Sequence, residues 1–168
     1  MADRVIHDLA LRLGDVLVRT GKTLAVAESC TGGGFCAAVT DIPGASAYFP
    51  GGIVAYRNDS KMRDLGVPAS LIESAGAVSE PVAAAMAEGA RGRFGADIGV
   101  GITGIAGPGG GTPDKPVGTV CLAISAGEVR RSHRRRFPGD RETVRRETVV
   151  WVLGELLSLL AGGQGSAK

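Results

Sequence analysis

The sequence predicts an α/β fold: a three-layer α/β/α sandwich around a mixed, mostly parallel five-stranded sheet. Helical segments alternate with short apolar segments of strand length, which is the pattern of helices that cover both faces of a sheet. Five segments have strand character. Only Ala126-Gly127 separates the last two of them, so these form an antiparallel hairpin and make the sheet mixed.

The N-terminal third of the chain alternates helix and strand. Apolar residues recur at helical spacing in the first segment, and Gly21 ends it. The next apolar run predicts a strand, and the small residues after it predict a helix that Pro43-Gly44 closes. In order, we predict a helix over residues 4–19, a strand over 23–28, a helix over 31–41 and a strand over 52–56.

Three helices are predicted to follow the second strand. Residue types that cap helix N-termini stand just before Lys61, which places this lysine in the first turn of a helix. Ser79-Glu80-Pro81 begins a long alanine-rich helix, because proline is favoured in the first turn. The three helices start at Asn58-Asp59-Ser60, at Pro68 and at Ser79, and the last extends to about Phe94.

The C-terminal third contains a strand, a long loop, the hairpin and a final helix. These are predicted over residues 98–103, 104–118, 119–125 with 129–137, and from Asp140 to about Leu160. The final helix carries apolar residues on more than one face, so we expect it to pack on the sheet and on a partner subunit. Residues 1–161 are predicted to form a single domain, and residues 162–168 a disordered tail.

The composition is that of an ordinary globular protein. Of the 168 residues, 44% are apolar and 21% are charged, which excludes disordered and collagen-like classes. The net charge of +2 is too small to indicate a polyanionic partner such as a nucleic acid. Three cysteines without a C-x-x-C pair argue against a disulfide framework and a cysteine zinc site.

The sequence pattern predicts neither a signal peptide in the first 15 residues nor a membrane-spanning segment near residue 160. The first 15 residues carry five charged side chains and do not resemble a signal peptide. The apolar stretch 149–161 is too short to span a bilayer. We therefore expect a cytoplasmic protein without membrane association.

The segment Glu28-Ser29-Cys30-Thr31-Gly32-Gly33 is the leading candidate for chemistry. It lies between the first strand and a helix, where α/β enzymes often expose a nucleophile and where free backbone N–H groups can bind an oxyanion or a phosphate. Ser29 supplies the hydroxyl. Cys30 is a rival nucleophile, although a free cysteine is more commonly a small buried apolar residue.

A serine nucleophile needs a base. The only histidines, His7 and His133, stand in the first helix and in an arginine-rich strand, which argues against a Ser-His-Asp triad. A lysine made neutral by burial is another base of suitable type. Lys61 follows the second strand as Ser29 follows the first, so both could lie at the edge where open α/β sheets bind ligands. The alternative is that Ser29 caps its helix and Lys61 is solvated.

Residues 99–104 read G-x-G-x-x-G. We reject a dinucleotide fingerprint because the glycines and prolines that follow cannot form the helix that this motif requires. We expect instead a strand that runs into a loop, where the Thr103 hydroxyl and backbone amides face a ligand. A flexible surface loop is the alternative.

Arginine is prominent in the last third of the chain. The run 130–136 is compatible with nucleic-acid binding, but it lacks interleaved aromatic residues, which favours a charged edge strand. Arg141 stands in the first turn of the last helix, where an arginine can hold a phosphate. An ion pair with Glu142 or Glu147 is the alternative for Arg141.

Five motifs in order match a known family. They are Ala27-Glu28-Ser29-Cys30-Thr31-Gly32-Gly33, Gly51-Gly52-Ile53-Val54-Ala55-Tyr56 with Asn58 and Lys61, Gly76-Ala77-Val78-Ser79-Glu80, Thr103-Gly104-Ile105-Ala106-Gly107-Pro108-Gly109-Gly110 and Lys115-Pro116-Val117-Gly118-Thr119-Val120. Over residues 20–160 the chain closely resembles the CinA C-terminal domain family. The resemblance implies a stand-alone nicotinamide-nucleotide amidohydrolase, which converts nicotinamide mononucleotide and water to nicotinate mononucleotide and ammonia in pyridine nucleotide salvage. It also implies a three-layer α/β/α fold and a homodimer or larger homo-oligomer.

The resemblance assigns site residues individually. It implies that Ser29 and Lys61 form a catalytic Ser-Lys dyad in which Ser29 attacks the carboxamide carbon and neutral Lys61 accepts its proton. Tyr56 is expected to relay protons or orient Lys61. The backbone N–H groups of Thr31, Gly32 and Gly33 are expected to stabilise the oxyanion. Glu28 is expected to bind the ribose or stabilise the turn, and Asn58 to bind substrate. The phosphate is expected to be bound by Thr103, the loop from Gly104 and Arg141.

This chemistry needs no metal ion and no cofactor, and the sequence contains no H-x-E, H-x-x-x-H or C-x-x-C ligand pattern. Two alternatives to this function stay open. One is a non-catalytic nucleotide-binding module that acts in competence or DNA-damage responses. The other is amidase action on another pyridine or a related carboxamide.

Overall fold

The computed structural model describes residues 3–162. Within these residues one sheet has five strands in the order β2-β1-β3-β4-β5. The strands are β1 (Leu24–Glu28), β2 (Gly51–Val54), β3 (Ile98–Gly104), β4 (Thr119–Ala126) and β5 (Val129–Arg136). Strand β1 pairs in parallel with β2 and β3, whereas β4 is antiparallel to both β3 and β5. Only β4 therefore runs against the others, and the predicted mixed, mostly parallel sheet is confirmed.

Helices cover both faces of this sheet. They are α1 (Arg4–Thr20), α2 (Gly34–Thr40), α3 (Asn58–Leu65), α4 (Ala69–Ala75), α5 (Glu80–Phe94) and α6 (Arg141–Gly162). Helices α1, α2 and α6 share one apolar core with the first face of the sheet. Helix α5 lies on the second face, and α3 and α4 pack against it. This is the predicted three-layer α/β/α sandwich.

The elements begin and end close to where the sequence predicts them, with three informative exceptions. Helix α2 begins at Gly34 rather than at residue 31, because Gly32 and Gly33 adopt left-handed backbone conformations with φ of 59° and 92°. A short 3-10 helix, Ala45–Ala47, was not predicted. Helix α6 includes Gly162, the first residue of the predicted disordered tail, and residues 163–168 lie outside the described residues.

The two faces of β3 carry side chains of different size. Val100 and Ile102 enter the core beneath α1 and α6. Gly99 and Gly101 face α5 so closely that a Cβ atom at Gly101 would lie 2.0 Å from the carbonyl oxygen of Ala83. The glycines of the G-x-G-x-x-G pattern thus allow α5 to approach the sheet, which is a packing role. None of the helices within residues 3–162 is long and apolar enough to cross a membrane.

Candidate active site

Ser29 and Lys61 meet at the carboxyl edge of the parallel strands. Strand β1 lies between β2 and β3, and the Ser29 N–H continues the ladder by donating to the Ile102 carbonyl at 2.9 Å. Lys61 lies in the first turn of α3, which follows β2. Its Nζ atom is 3.2 Å from Ser29 Oγ, so the structure brings together two residues that are 32 positions apart in the sequence.

The Lys61 amine is buried among backbone oxygens and has no carboxylate partner among the described residues. The residue is 2% exposed, and Nζ donates to the carbonyls of Ala55 at 3.0 Å and Tyr56 at 3.3 Å. Burial lowers the pKa of Lys61 from its ordinary value of 10.5, since a low dielectric disfavours the charged form. In the neutral amine, two N–H bonds to these carbonyls leave the lone pair to the Ser29 hydroxyl.

Cys30, the rival nucleophile, lies in a different environment. The residue is buried, and desolvation raises the pKa of its thiol to about 12. A thiol with this pKa is protonated at neutral pH and is a poor nucleophile, because the thiolate is the reactive form. The geometry therefore favours Ser29 over Cys30.

Glu28 stabilises the turn after β1. Its carboxylate is fully buried and accepts hydrogen bonds from the N–H groups of Gly33 at 3.1 Å, Phe35 at 3.1 Å and Cys36 at 2.8 Å. These are N–H groups at the start of α2 that lack partners within the helix. Of the two expected roles for Glu28, the structure supports turn stabilisation; ribose binding is not available to a carboxylate engaged in this way.

The expected set of oxyanion donors needs correction. The Gly32 N–H donates to the Ser29 carbonyl at 3.0 Å, and the Gly33 N–H donates to Glu28. Both N–H groups are therefore already hydrogen-bonded within the turn. The N–H groups of Cys30 and Thr31 donate to no oxygen among residues 3–162, so they are the donors that this turn leaves for a substrate oxygen.

Thr31 connects this turn to α6. Its carbonyl accepts two hydrogen bonds from the Arg145 guanidinium, at 2.9 Å from Nη2 and 3.3 Å from Nε. The Thr31 hydroxyl is buried and has no hydrogen-bond partner among the described residues. An unpartnered buried hydroxyl beside Ser29 is available to a bound molecule.

Tyr56 and Arg141 form a bridge beside Lys61. The Tyr56 hydroxyl accepts a hydrogen bond from Arg141 Nη2 at 2.6 Å, and Arg141 Nη1 donates to the Gly107 carbonyl at 2.9 Å. Only the backbone carbonyl of Tyr56 contacts the Lys61 amine, so its phenol does not orient that amine. Arg141 pairs with neither Glu142 nor Glu147 among the described residues, and Glu147 pairs with Arg146 instead.

Three further predicted site residues lie at the same edge but differ in what they offer. Asn58 is exposed and is the first residue of α3, whose N-cap is Arg57 rather than one of the residues predicted. Thr103 is 1% exposed, and its hydroxyl donates to the Ala77 carbonyl at 2.8 Å, so it does not face a phosphate as expected. Gly104 packs against Cys30, since a Cβ atom there would lie 2.9 Å from the cysteine sulfur.

The family-model match covers residues 6–160 and has the description CinA C-terminal domain. The chain belongs to the CinA C-terminal domain family. A protein of Pseudomonas putida named nicotinamide-nucleotide amidohydrolase PncC is 51% identical over 92% of this chain and 96% of its own length. A CinA-like protein of Gemmatimonas aurantiaca is 52% identical over 93% of this chain but only 36% of its own length. This CinA domain therefore spans about a third of that longer relative.

Solved structures agree with this assignment. A competence/damage inducible protein of Agrobacterium tumefaciens superposes with a TM-score of 0.91 at 40% identity, over 95% of this chain and 98% of that one. A CinA superfamily protein of Escherichia coli gives a TM-score of 0.90 at 37% identity, over 95% and 93% of the two chains. The whole described fold is thus the fold of this family.

Sequence reasoning missed one residue of this CinA site. Arg145 was assigned no role, yet it bonds to the turn that carries Ser29. One signal could have identified it: Arg145 follows Arg141 by four positions, and residues at this spacing share one face of a helix. A second basic group, Lys115, ties the loop after β3 to the end of α4 through a 2.8 Å bond to the Ala75 carbonyl.

The arginines of β5 lie away from this site. Arg130 pairs with Glu88, Arg134 lies 3.9 Å from Glu80, and Arg135 stacks over the rings of Phe137 and Trp151. Strand β5 is an edge strand, and all of its residues are exposed. This arrangement agrees with the charged edge strand that the sequence favours.

Proposed function

We propose that this chain is a nicotinamide-nucleotide amidohydrolase, which hydrolyses nicotinamide mononucleotide to nicotinate mononucleotide and ammonia in pyridine nucleotide salvage. The observation that carries the proposal is the buried Ser29–Lys61 pair, with 3.2 Å between Oγ and Nζ. The 51% identical relative named for this activity supports the choice of substrate. Residues 1–161 would act as one amidohydrolase domain.

The first step forms an ester between Ser29 and the substrate. Neutral Lys61 accepts the Ser29 proton as Oγ attacks the carboxamide carbon, and the carbonyl oxygen becomes an oxyanion. The free N–H groups of Cys30 and Thr31 are the donors proposed to stabilise it, and one such donor contributes about 3 kcal/mol. When the C–N bond breaks, the Lys61 ammonium protonates the leaving nitrogen, and ammonia departs.

The second step releases the product. Lys61, neutral again, accepts a proton from water as the water oxygen attacks the ester carbon. The tetrahedral intermediate collapses, the C–Oγ bond breaks, and the Lys61 ammonium returns its proton to Ser29. The carboxylic acid formed then loses its proton to solvent, which leaves nicotinate mononucleotide.

Arg141 is the proposed ligand of the substrate phosphate. Its guanidinium is exposed, has no carboxylate partner among the described residues, and contacts both the Tyr56 hydroxyl and the Gly107 carbonyl. The glycine-rich loop beside it permits close approach of a ligand to the backbone. Thr103 is left out of this set, because its hydroxyl bonds to Ala77. Asn58, exposed at the start of α3, is proposed to contact the ribose.

Ammonia release from nicotinamide mononucleotide by the purified protein tests the proposal. We expect turnover by the wild type, loss of about 10⁴-fold or more in Ser29→Ala, and near-normal activity in the matched control Ser132→Ala on β5. Cys30→Ala should also retain activity. Mass spectrometry of the quenched reaction should detect a nicotinoyl-type adduct on Ser29. Activity that survives in Ser29→Ala would contradict the nucleophile assignment.

The same measurements separate the alternatives. Saturable binding of the mononucleotide without ammonia release would favour a nucleotide-binding module. Equal kcat/KM for the mononucleotide, its nucleoside and free nicotinamide would favour a broader amidase, because a phosphate site should discriminate among them.

The oligomeric state stays a prediction. We propose a homodimer or larger homo-oligomer, but α6 does not support the subunit contact predicted for it, because its apolar residues are largely buried within the described chain itself. Light scattering at micromolar concentration measures the mass directly.

A further inference from the structure

We propose that Arg145 is a positioning residue that holds the Ser29 turn in the conformation its oxyanion donors require. This inference rests on the proposed function, and it concerns a residue that contributes through the backbone of the turn. It joins α6 to the turn over a separation of 114 residues.

The hydrogen bonds around the turn carry the argument. Arg145 Nη2 and Nε donate to the Thr31 carbonyl at 2.9 and 3.3 Å, beside the Gly34 N–H, which donates to the same oxygen at 3.1 Å. Arg145 is the side chain that bonds to this carbonyl among the described residues. On the other side of the same peptide group, the Gly32 N–H donates to the Ser29 carbonyl at 3.0 Å. The Thr31–Gly32 peptide is thus held at its oxygen and at its nitrogen. The guanidinium also lies against Gly32, where a Cβ atom would be 3.3 Å from Arg145 Nη2.

The turn needs such a restraint because of its composition. Three consecutive glycines, Gly32, Gly33 and Gly34, follow Thr31, and glycine restricts the backbone less than any other residue. Glu28 binds the far side of the turn, at Gly33, Phe35 and Cys36. Among the described residues, Arg145 supplies the side-chain contacts that hold the near side, next to the free N–H groups of Cys30 and Thr31. Oxyanion stabilisation depends on donors that are fixed before the reaction.

Arginine suits this role better than lysine. A guanidinium presents two N–H bonds in one rigid plane, whereas a lysine ammonium is a compact charge on a flexible stem. Two bonds to one carbonyl define the direction of the carbonyl as well as its distance. Arg145 has no carboxylate partner among the described residues, so its positive charge also remains beside the turn where negative charge develops.

Steady-state kinetics with nicotinamide mononucleotide test this inference. We expect Arg145→Met to lower kcat roughly 10- to 100-fold with KM changed by less than about twofold, because a donor misplaced in the transition state affects the chemical step. Arg145→Lys should retain only part of the wild-type kcat. The control is Arg146→Met, which removes the next arginine of α6 and its pairs with Asp3 and Glu147 and should leave kcat unchanged.

Two kinetic outcomes overturn the inference. A full kcat in Arg145→Lys shows that charge suffices and that the planar contact is not needed. A raised KM with unchanged kcat in Arg145→Met shows that Arg145 binds substrate instead.

Hydrogen–deuterium exchange gives a readout that does not depend on the substrate. Backbone amides of residues 29–36 should exchange faster in Arg145→Met and in Arg145→Lys than in the wild type, while Arg146→Met should match the wild type in this segment. Unchanged exchange in both Arg145 variants overturns the inference. If the wild type releases no ammonia from nicotinamide mononucleotide, the proposed function fails, and the exchange measurement still decides the role of Arg145 in the turn.

Discussion

The molecule has two basic regions that use their charges differently. On β5, Arg130 and Arg134 pair with Glu88 and Glu80, and Arg135 stacks on aromatic rings. The other two arginines of this edge strand, Arg131 and Arg136, have no carboxylate partner among the described residues. At the β1 edge, Lys61, Arg141 and Arg145 come from distant parts of the chain, and among the described residues none of the three has a carboxylate partner. Three of the five β5 arginines are thus compensated, whereas none of the three cations at the β1 edge is. What distinguishes the β1 edge is that its uncompensated cations come from two separate helices, α3 and α6, and meet backbone oxygens at one edge of the sheet.

The largest expected effect comes from removal of the Lys61 amine at the β1 edge. Lys61→Met should reduce kcat by about 10³-fold, because a general base contributes roughly 10²- to 10⁴-fold. The wild-type kcat/KM should rise with pH as Lys61 loses its proton, at a pH below its ordinary 10.5. Ammonia-release assays from pH 5 to 10 measure both. Lys22→Met, which removes an exposed lysine, is the control and should retain the wild-type profile.

Arg141→Met should raise KM for the mononucleotide by roughly 10-fold or more, which corresponds to about 1.4 kcal/mol of binding. The nucleoside without phosphate should show little change, since Arg141 is assigned to the phosphate. Arg131→Met, on the exposed β5 strand, is the matched control for removal of a surface cation. An equal rise in KM for both substrates would contradict the phosphate assignment.

Lys61 should also affect how the free energy of unfolding depends on pH. Burial lowers its pKa, so below the folded-state pKa the lysine is protonated in both states and its full desolvation penalty is present. As pH rises from that pKa toward 10.5, the unfolded chain holds more protons than the native state, and the free energy of unfolding increases. Urea denaturation from pH 7 to 11 should show this rise in the wild type relative to Lys61→Met. Parallel curves for the two proteins would argue against a buried, perturbed lysine.

The smallest effects are expected on β5. Arg130 and Arg134 pair with their glutamates at partly exposed positions, with about half of each arginine side chain accessible (51% and 43%). Each such pair contributes about 0–1 kcal/mol, so the double variant Arg130→Met, Arg134→Met should lose at most about 2 kcal/mol and melt within about 8 °C of the wild type. Its kcat/KM should be unchanged. Fluorescence anisotropy with single-stranded DNA should show no binding at physiological salt. Tight binding would contradict the assignment of β5 as a charged edge strand without a ligand.

Much of the candidate site was predictable because it depends on local signals. An apolar run followed by a hydroxyl and glycines predicts a turn at the end of a strand, and this is where Ser29 lies. The residue types at positions 58–60 also predicted that Lys61 lies in the first turn of a helix after the second strand, although the N-cap proved to be Arg57. The roles of Glu28, Thr103 and Tyr56 were harder to predict, because they depend on which group elsewhere in the fold each side chain contacts.

The sequence by itself determined the alternation of helices and strands and the turn that carries Ser29. Its two histidines, neither placed near Ser29, also favoured a lysine as the base. These are properties of periodicity, turn chemistry and composition, which operate over a few neighbouring residues. Only the tertiary structure decided that β1 lies between β2 and β3, that the Gly32 and Gly33 amides are consumed within the turn, and that Arg145 reaches the Thr31 carbonyl. The physical reason is that hydrogen-bond partners and strand order depend on packing between segments far apart in the chain.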